Sequence, residues 1–245
     1  MKRRRASTIV LMAALAALVP ATAACARPGA PEPGGSGSVS TTPAGPGGAT
    51  TGTRPADPPA SDGATTGGEY RVTYGLAVPA GVITIKHTIK PPIAPPPAPP
   101  LPYLVGIYVG DHPEGKPAYA RISFYFRGAF PGYSFGYVPS VTSDGKGEPI
   151  PLQGNAFIRI GFVDAQAHDD SGASTIKVKP AETIGLHNLK SYGFAGDFEG
   201  HVTFGLGVQV APGSDQILPL RTGELKKPDG AGGFFYVVHL DVQNG

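Results

Sequence analysis

Three groups of side chains in this 245-residue sequence belong to types that do chemistry. Asp164, His168, Asp169 and Asp170 fall within seven residues and are followed by Ser171-Gly172. Carboxylate oxygens and an imidazole this close suit a divalent cation. The spacing is not that of an EF-hand, and Asp and Gly also serve ordinary turns. Asp197 and Glu199 stand two apart in Gly196-Asp197-Phe198-Glu199-Gly200. In a strand, residues i and i+2 share a face, so this pair invites a glycosidase reading, one acid and one base or nucleophile. The alternative is a glycine-bounded turn. Arg121, Tyr125 and Arg127 form the third group, spaced to lie on one face of a strand. A ring between two guanidiniums could hold an anionic glycan by stacking and charge-assisted hydrogen bonds. It could equally be a half-buried strand face.

Other chemistry is thin. His112, His201 and His239 have neither a Cys partner nor a second His at metal spacing. There is no G-x-S-x-G elbow, no phosphate-binding P-loop and no dinucleotide fingerprint. No cofactor is expected. Gly205 and Gly207 alternate in one run, which admits either a flat ligand platform or a close-packed neighbouring loop.

The elements that must position these residues read as strands. Ile122, Phe124 and Phe126 share one face of 121–127, and Val202, Phe204, Leu206, Val208 and Val210 one face of 202–210. Similar alternation marks 103–109, 156–162 and 234–242, and more weakly 133–138 and 186–193. Period two over many short runs predicts an all-β sandwich of mostly antiparallel strands. Runs 70–75 and 81–86 are expected to pair as an N-terminal hairpin extension at 69–90. Ser143–Gly147 and Pro228-Asp229-Gly230 read as turns. One short helix is expected within Pro180–Leu189.

Composition varies sharply along the chain. Gly (36) and Pro (28) are abundant, yet all aromatics and histidines lie from Tyr70 onward. Residues 1–25 read as an export signal: a basic head, Lys2 to Arg5, then the apolar run Ile9–Val19. That run is too short to span a bilayer, which takes roughly 20 apolar residues. Cleavage after Ala23 fits the A-x-A rule. Cleavage after Ala24 would make Cys25, the chain's single cysteine, the first residue and a lipidation site. Residues 26–68 hold 8 Pro and 11 Gly and no aromatic, which predicts a disordered tether spanning roughly 35 Å as a coil. A second proline run, 91–102, predicts a stiff spacer before a domain at 103–245. The net charge of +2 becomes −2 once the four basic residues of the signal are removed, so no nucleic-acid partner is expected.

Six stretches in order resemble one family. They are LPYLVGIYVGDH (101–112), RISFYFRGAFPGY (121–133), GEPIPLQGNA (147–156), AQAHDDSGAST (165–175), LKSYGFAGDFEGHVTFGLGVQV (189–210) and FFYVVHLDV (234–242). Together they resemble the AMIN-like domain of actinobacterial secreted proteins and lipoproteins. The resemblance implies a β-sandwich in the cell envelope. It also implies a relation to non-catalytic domains that bind peptidoglycan or another wall polymer. With a lipid on Cys25 holding it to the membrane, the chain is expected to be a module that binds such a polymer or an envelope protein. The resemblance carries over no ligand residue. The readings that compete with it are a wall hydrolase, using Asp197 and Glu199 or the His168–Asp170 cluster, and an assembly factor docking partners by a sheet edge or the proline run.

Overall fold

The computed structural model describes residues 68–89, 101–213 and 217–245. The expected signal, Cys25, all but the last residue of the tether, and most of the proline run lie outside them. Ten strands make two five-stranded sheets. They are β1 (Glu69–Ala77), β2 (Ile83–Ile85), β3 (Tyr103–His112), β4 (Tyr119–Arg127), β5 (Gly132–Val138), β6 (Ala156–Val163), β7 (Leu189–Phe198), β8 (His201–Val208), β9 (Leu220–Pro228) and β10 (Phe234–Gln243). One sheet runs β1-β9-β10-β4-β3 and the other β2-β5-β6-β8-β7, with every paired neighbour antiparallel. The all-β sandwich read from the alternation is the fold.

The core lies between the sheets. Ile122, Phe124 and Phe126 of β4 face Ile158, Ile160 and Phe162 of β6 and Phe204 of β8, all fully or almost fully buried. Phe124 meets Phe162 at 4.9 Å and Phe204 at 5.1 Å between ring centroids, tilted as ring quadrupoles favour.

Two expectations change. The runs at 70–75 and 81–86 do not form a hairpin: β1 pairs with β9 and β2 with β5, in different sheets. Alternation identifies a strand but not its partner, and Pro79-Ala80-Gly81 carries the chain from one sheet to the other. No helix forms at 180–189. Gly185 is left-handed (φ 69°), and the backbone N–H groups of Ile184 and Gly185 donate to Lys190 O, so the segment folds back on β7. Strand β9 is an addition, with no alternation of apolar and polar residues to mark it. After Leu220 its inward positions are Thr222 and Glu224 rather than apolar residues, and both are buried. Glu224 accepts hydrogen bonds from Arg71 at 2.7 Å and from Tyr133 Oη at 3.2 Å, and lies 2.8 Å from His87 Nε2. A polar network thus ties the N-terminal strands into the sandwich, where burial of unpaired groups would be costly.

The outward face of β8 settles the alternatives for its glycines. Loop 139–155 lies across it. A Cβ on Gly207 would stand 1.9 Å from Gln153 O, and one on Gly205 would stand 2.9 Å from Val141 and Leu152. The glycines admit a packed loop, not a platform.

His239, on the outward face of β10, is 3% exposed and hydrogen-bonded to Ser123 Oγ at 2.8 Å. Burial, reinforced by Arg121, holds its imidazole well below the usual histidine range. An unfolded histidine binds a proton below about pH 6.5, while the folded one does not. Stability should therefore fall as pH drops below about 6.5, by at most ~1.4 kcal/mol per pH unit from this group. Urea denaturation at pH 7 and pH 5.5 reads this slope, and His239→Gln should flatten it by about one proton.

Candidate functional site

Between β6 and β7 the chain makes a long excursion over the side of the sandwich where edge strands β3 and β7 leave the core open. Parallel bridges Tyr103↔Gln166 and Gly106↔Val178 pin the excursion to β3, and the bridge Thr183↔Ser191 pins its far end to β7. Tyr192 Oη donates to Pro180 O at 2.8 Å, and burial pushes this phenol up to about 12. Beneath the excursion is a cleft of about 590 Å³. Buried Ile107, Tyr192 and Phe204 contribute its apolar lining, and Phe194, 46% exposed and edge-on to Phe204 at 5.4 Å, adds an open ring. The polar lining is His168, Ser174, Lys179, Glu182 and Asp197.

Asp197 is the centre of the polar part. Its side chain is only 10% exposed. Its Oδ2 accepts the Ala167 N–H at 3.0 Å and lies 2.6 Å from His168 Nδ1. With the carboxylate ionised, Nδ1 is the donor. Its other oxygen, Oδ1, is buried and has no hydrogen-bond partner. Buried polar atoms are nearly always paired, and this orphan acceptor belongs to a residue of the cleft lining.

The residues singled out by spacing are distributed differently. Asp197 and His168 come together, although they belonged to two separate groups in the sequence. Glu199 does not line the cleft. It is left-handed (φ 49°) and so is Gly200 (φ 75°), the backbone of a two-residue type I′ hairpin between β7 and β8. Asp164 is also left-handed (φ 55°), at the exit of β6. Asp169 caps its own turn: its Oδ1 accepts from Ser171 Oγ at 2.6 Å, from Ser171 N at 2.9 Å and from Ala173 N at 3.0 Å. Those bonds, the Ser171 hydroxyl foremost, hold its carboxyl below the usual range. Asp170 is exposed beside it. Among the described residues no group of three or more His, Cys, Asp or Glu side chains could hold a metal ion.

The Arg121–Tyr125–Arg127 strip is not an open platform. Arg121 and Tyr125 are 2% and 4% exposed. Arg121 donates to Asp241 through Nε at 2.6 Å and Nη2 at 3.0 Å. Tyr125 is covered by Tyr108, with ring centroids 4.6 Å apart, and by the Lys227 ammonium at 4.7 Å. Arg127 pairs with Asp229 and lies 4.2 Å over the Phe235 ring. Long neighbours on the same sheet face cover the strip. His201 is exposed, while His112 is buried at the end of β3, stacked on Tyr119 at 4.6 Å.

The sequence did not single out Phe194, Lys179 or Glu182. Phe194 sits where β7 has a bulge between Phe194 and Gly196, which breaks the alternation a sequence reading relies on.

A family model described as the AMIN-like domain matches residues 102–229. No curated protein and no solved structure matches the chain.

Proposed function

The chain belongs to the AMIN-like domain family, and from that premise we propose that it is a non-catalytic cell-envelope module that binds a wall component in the cleft between β3 and β7. Domains of this family are associated with peptidoglycan and cell-wall binding in the envelope. One observation carries the assignment to the cleft. Every residue lining it, from Ile107 to Phe204, falls within the stretch that matches the family. The N-terminal strands β1 and β2 fall outside that stretch.

The cleft has the parts of a binding site: an apolar floor, an accessible ring and a few convergent polar groups. In this reading Asp197 and His168 orient and bind, and the domain does not cut what it holds. Among the described residues no helix is long and apolar enough to cross a membrane. We assign membrane attachment to a lipid on Cys25, with 26–68 as the tether that lets the sandwich reach the wall. Loss of membrane association in Cys25→Ala, with the protein still exported, is the expected outcome of a fractionation experiment.

Co-sedimentation with purified wall material tests the binding. The wild-type chain should be retained, and Phe194→Ala should bind at least about tenfold more weakly, since a ring in a binding pocket is a frequent hot spot. Phe194 is half exposed, so the variant should keep its thermal midpoint. Equal retention of both proteins would remove the cleft from the account. Release of soluble wall fragments by the wild type, abolished by Asp197→Ala, would favour a hydrolase instead.

A further inference from the structure

We propose that the cleft recognises a primary ammonium carried on an aliphatic arm. This inference rests on the wall-binding reading and gives the chemistry of the group bound.

The unmet demand in the cleft is for a donor. Asp197 Oδ2 is already engaged by Ala167 N–H and His168, whereas Oδ1 has nothing. A buried acceptor left unpaired is unfavourable, more so when it carries charge, and a donor that meets Oδ1 as the carboxylate turns toward the cleft recovers that loss. The charges around the cleft set the sign. Asp197 and Glu182 contribute two carboxylates against the single Lys179 ammonium. A cationic donor is favoured by this balance and an anionic group is opposed. A neutral hydroxyl would fill the bond but leave the charge unmatched, and charge-assisted bonds are roughly twice as strong as neutral ones. The walls suit the rest of such a ligand. Part-exposed Ile176, over buried Ile107, Tyr192 and Phe204, offers apolar surface for methylenes, and the open Phe194 ring offers a face that attracts a cation.

The test uses n-pentylamine, 1-pentanol and hexanoate as probes, titrated into the full chain and followed through the backbone amides by NMR. Pentylamine should shift Ala167, His168 and Asp197 saturably, and pentanol and hexanoate should not. Asp197→Asn should weaken the amine by about tenfold or more. Because Asp197 also holds the excursion in place, Glu182→Gln provides a second variant on an exposed side chain, expected to weaken the amine two- to threefold, on the order of a surface charge pair. Pentanol shifting the same amides as strongly as pentylamine would overturn the proposal. So would unchanged amine affinity in both variants.

A companion measurement separates this inference from the reading beneath it. Wall material whose free amines have been acetylated should retain the chain about tenfold less than untreated wall. Phe194-dependent retention that ignores acetylation would overturn the ammonium and leave wall binding standing. Amine binding at the cleft by a chain that sediments with neither wall would overturn wall binding and leave the ammonium.

Discussion

Asp241→Ala is expected to cost about 3–5 kcal/mol of folding stability, the range for removing one partner of a buried ion pair. Asp241 is 1% exposed on the outward face of β10. Its carboxylate accepts from Arg121 through Nε and Nη2, at 2.6 and 3.0 Å, and from Arg221 Nε at 2.8 Å. Both guanidiniums also lie over the Tyr119 ring, at 5.1 and 4.7 Å. Removing the carboxylate leaves Arg121, 2% exposed, as a buried cation whose main counter-charge is gone. Arg221 is 23% exposed and can turn to water, so the loss falls mainly on Arg121. The double variant Arg121→Met with Asp241→Leu should recover most of the stability, because an apolar pair of similar volume often replaces a buried ion pair without loss. Urea denaturation of the three proteins checks this. A single variant as stable as the wild type would mean that water reaches Arg121.

Gly207→Ala should cost about 3 kcal/mol, at the upper end of overpacking effects. The added Cβ would stand 1.9 Å from Gln153 O and 2.5 Å from Ser191 Oγ. The first is a backbone atom and cannot rotate away. Loop 139–155 must lift off β8, and with it the hydrogen bond from Gln153 N to Ser191 Oγ at 2.7 Å. In a domain of this size the thermal midpoint should fall by about 10 °C. Gly75→Ala is the control: nothing lies within 4 Å of its added Cβ, and the change should stay within about 0.5 kcal/mol. The same loop reaches the edge of the functional side of sheet β2-β5-β6-β8-β7, where Asp144 closes over Gly196 and pairs with Arg159 at 2.6 Å. Gly207→Ala should therefore disturb β7 as well as stability.

Alternation in the sequence was enough to find most strands, because their inward residues are apolar and their partners polar. It failed where the physical cause of burial was different. Strand β9 buries Thr222 and Glu224 through hydrogen bonds from β1 and β5, and a polar inward face gives no period-two signal. On β4 the alternation of Arg121, Ser123 and Tyr125 with the core residues holds, and of the two readings it leaves open, a glycan platform or a half-buried face, the structure shows a covered face. Its carboxylate, Asp241, is 120 residues away in sequence. The cleft was half legible. Spacing groups His168 and Asp197 each with other neighbours, since 29 residues and a crossing between strands separate them. Asp169 and Glu199 sat close by in sequence but serve turns. Spacing reports which groups are near along the chain, and here the excursion at 164–188 decides which are near in space.

A wall component seated in the cleft between β3 and β7 should be visible by backbone-amide NMR of the chain titrated with soluble fragments of digested wall. The shifts should concentrate at Ala167, His168, Ser174, Tyr192, Phe194 and Asp197. Shifts gathered instead at the groove around Ser134, Gly161 and Thr203, or at the hollow around His187 and Leu218, would contradict it, as would fragments that move no amide.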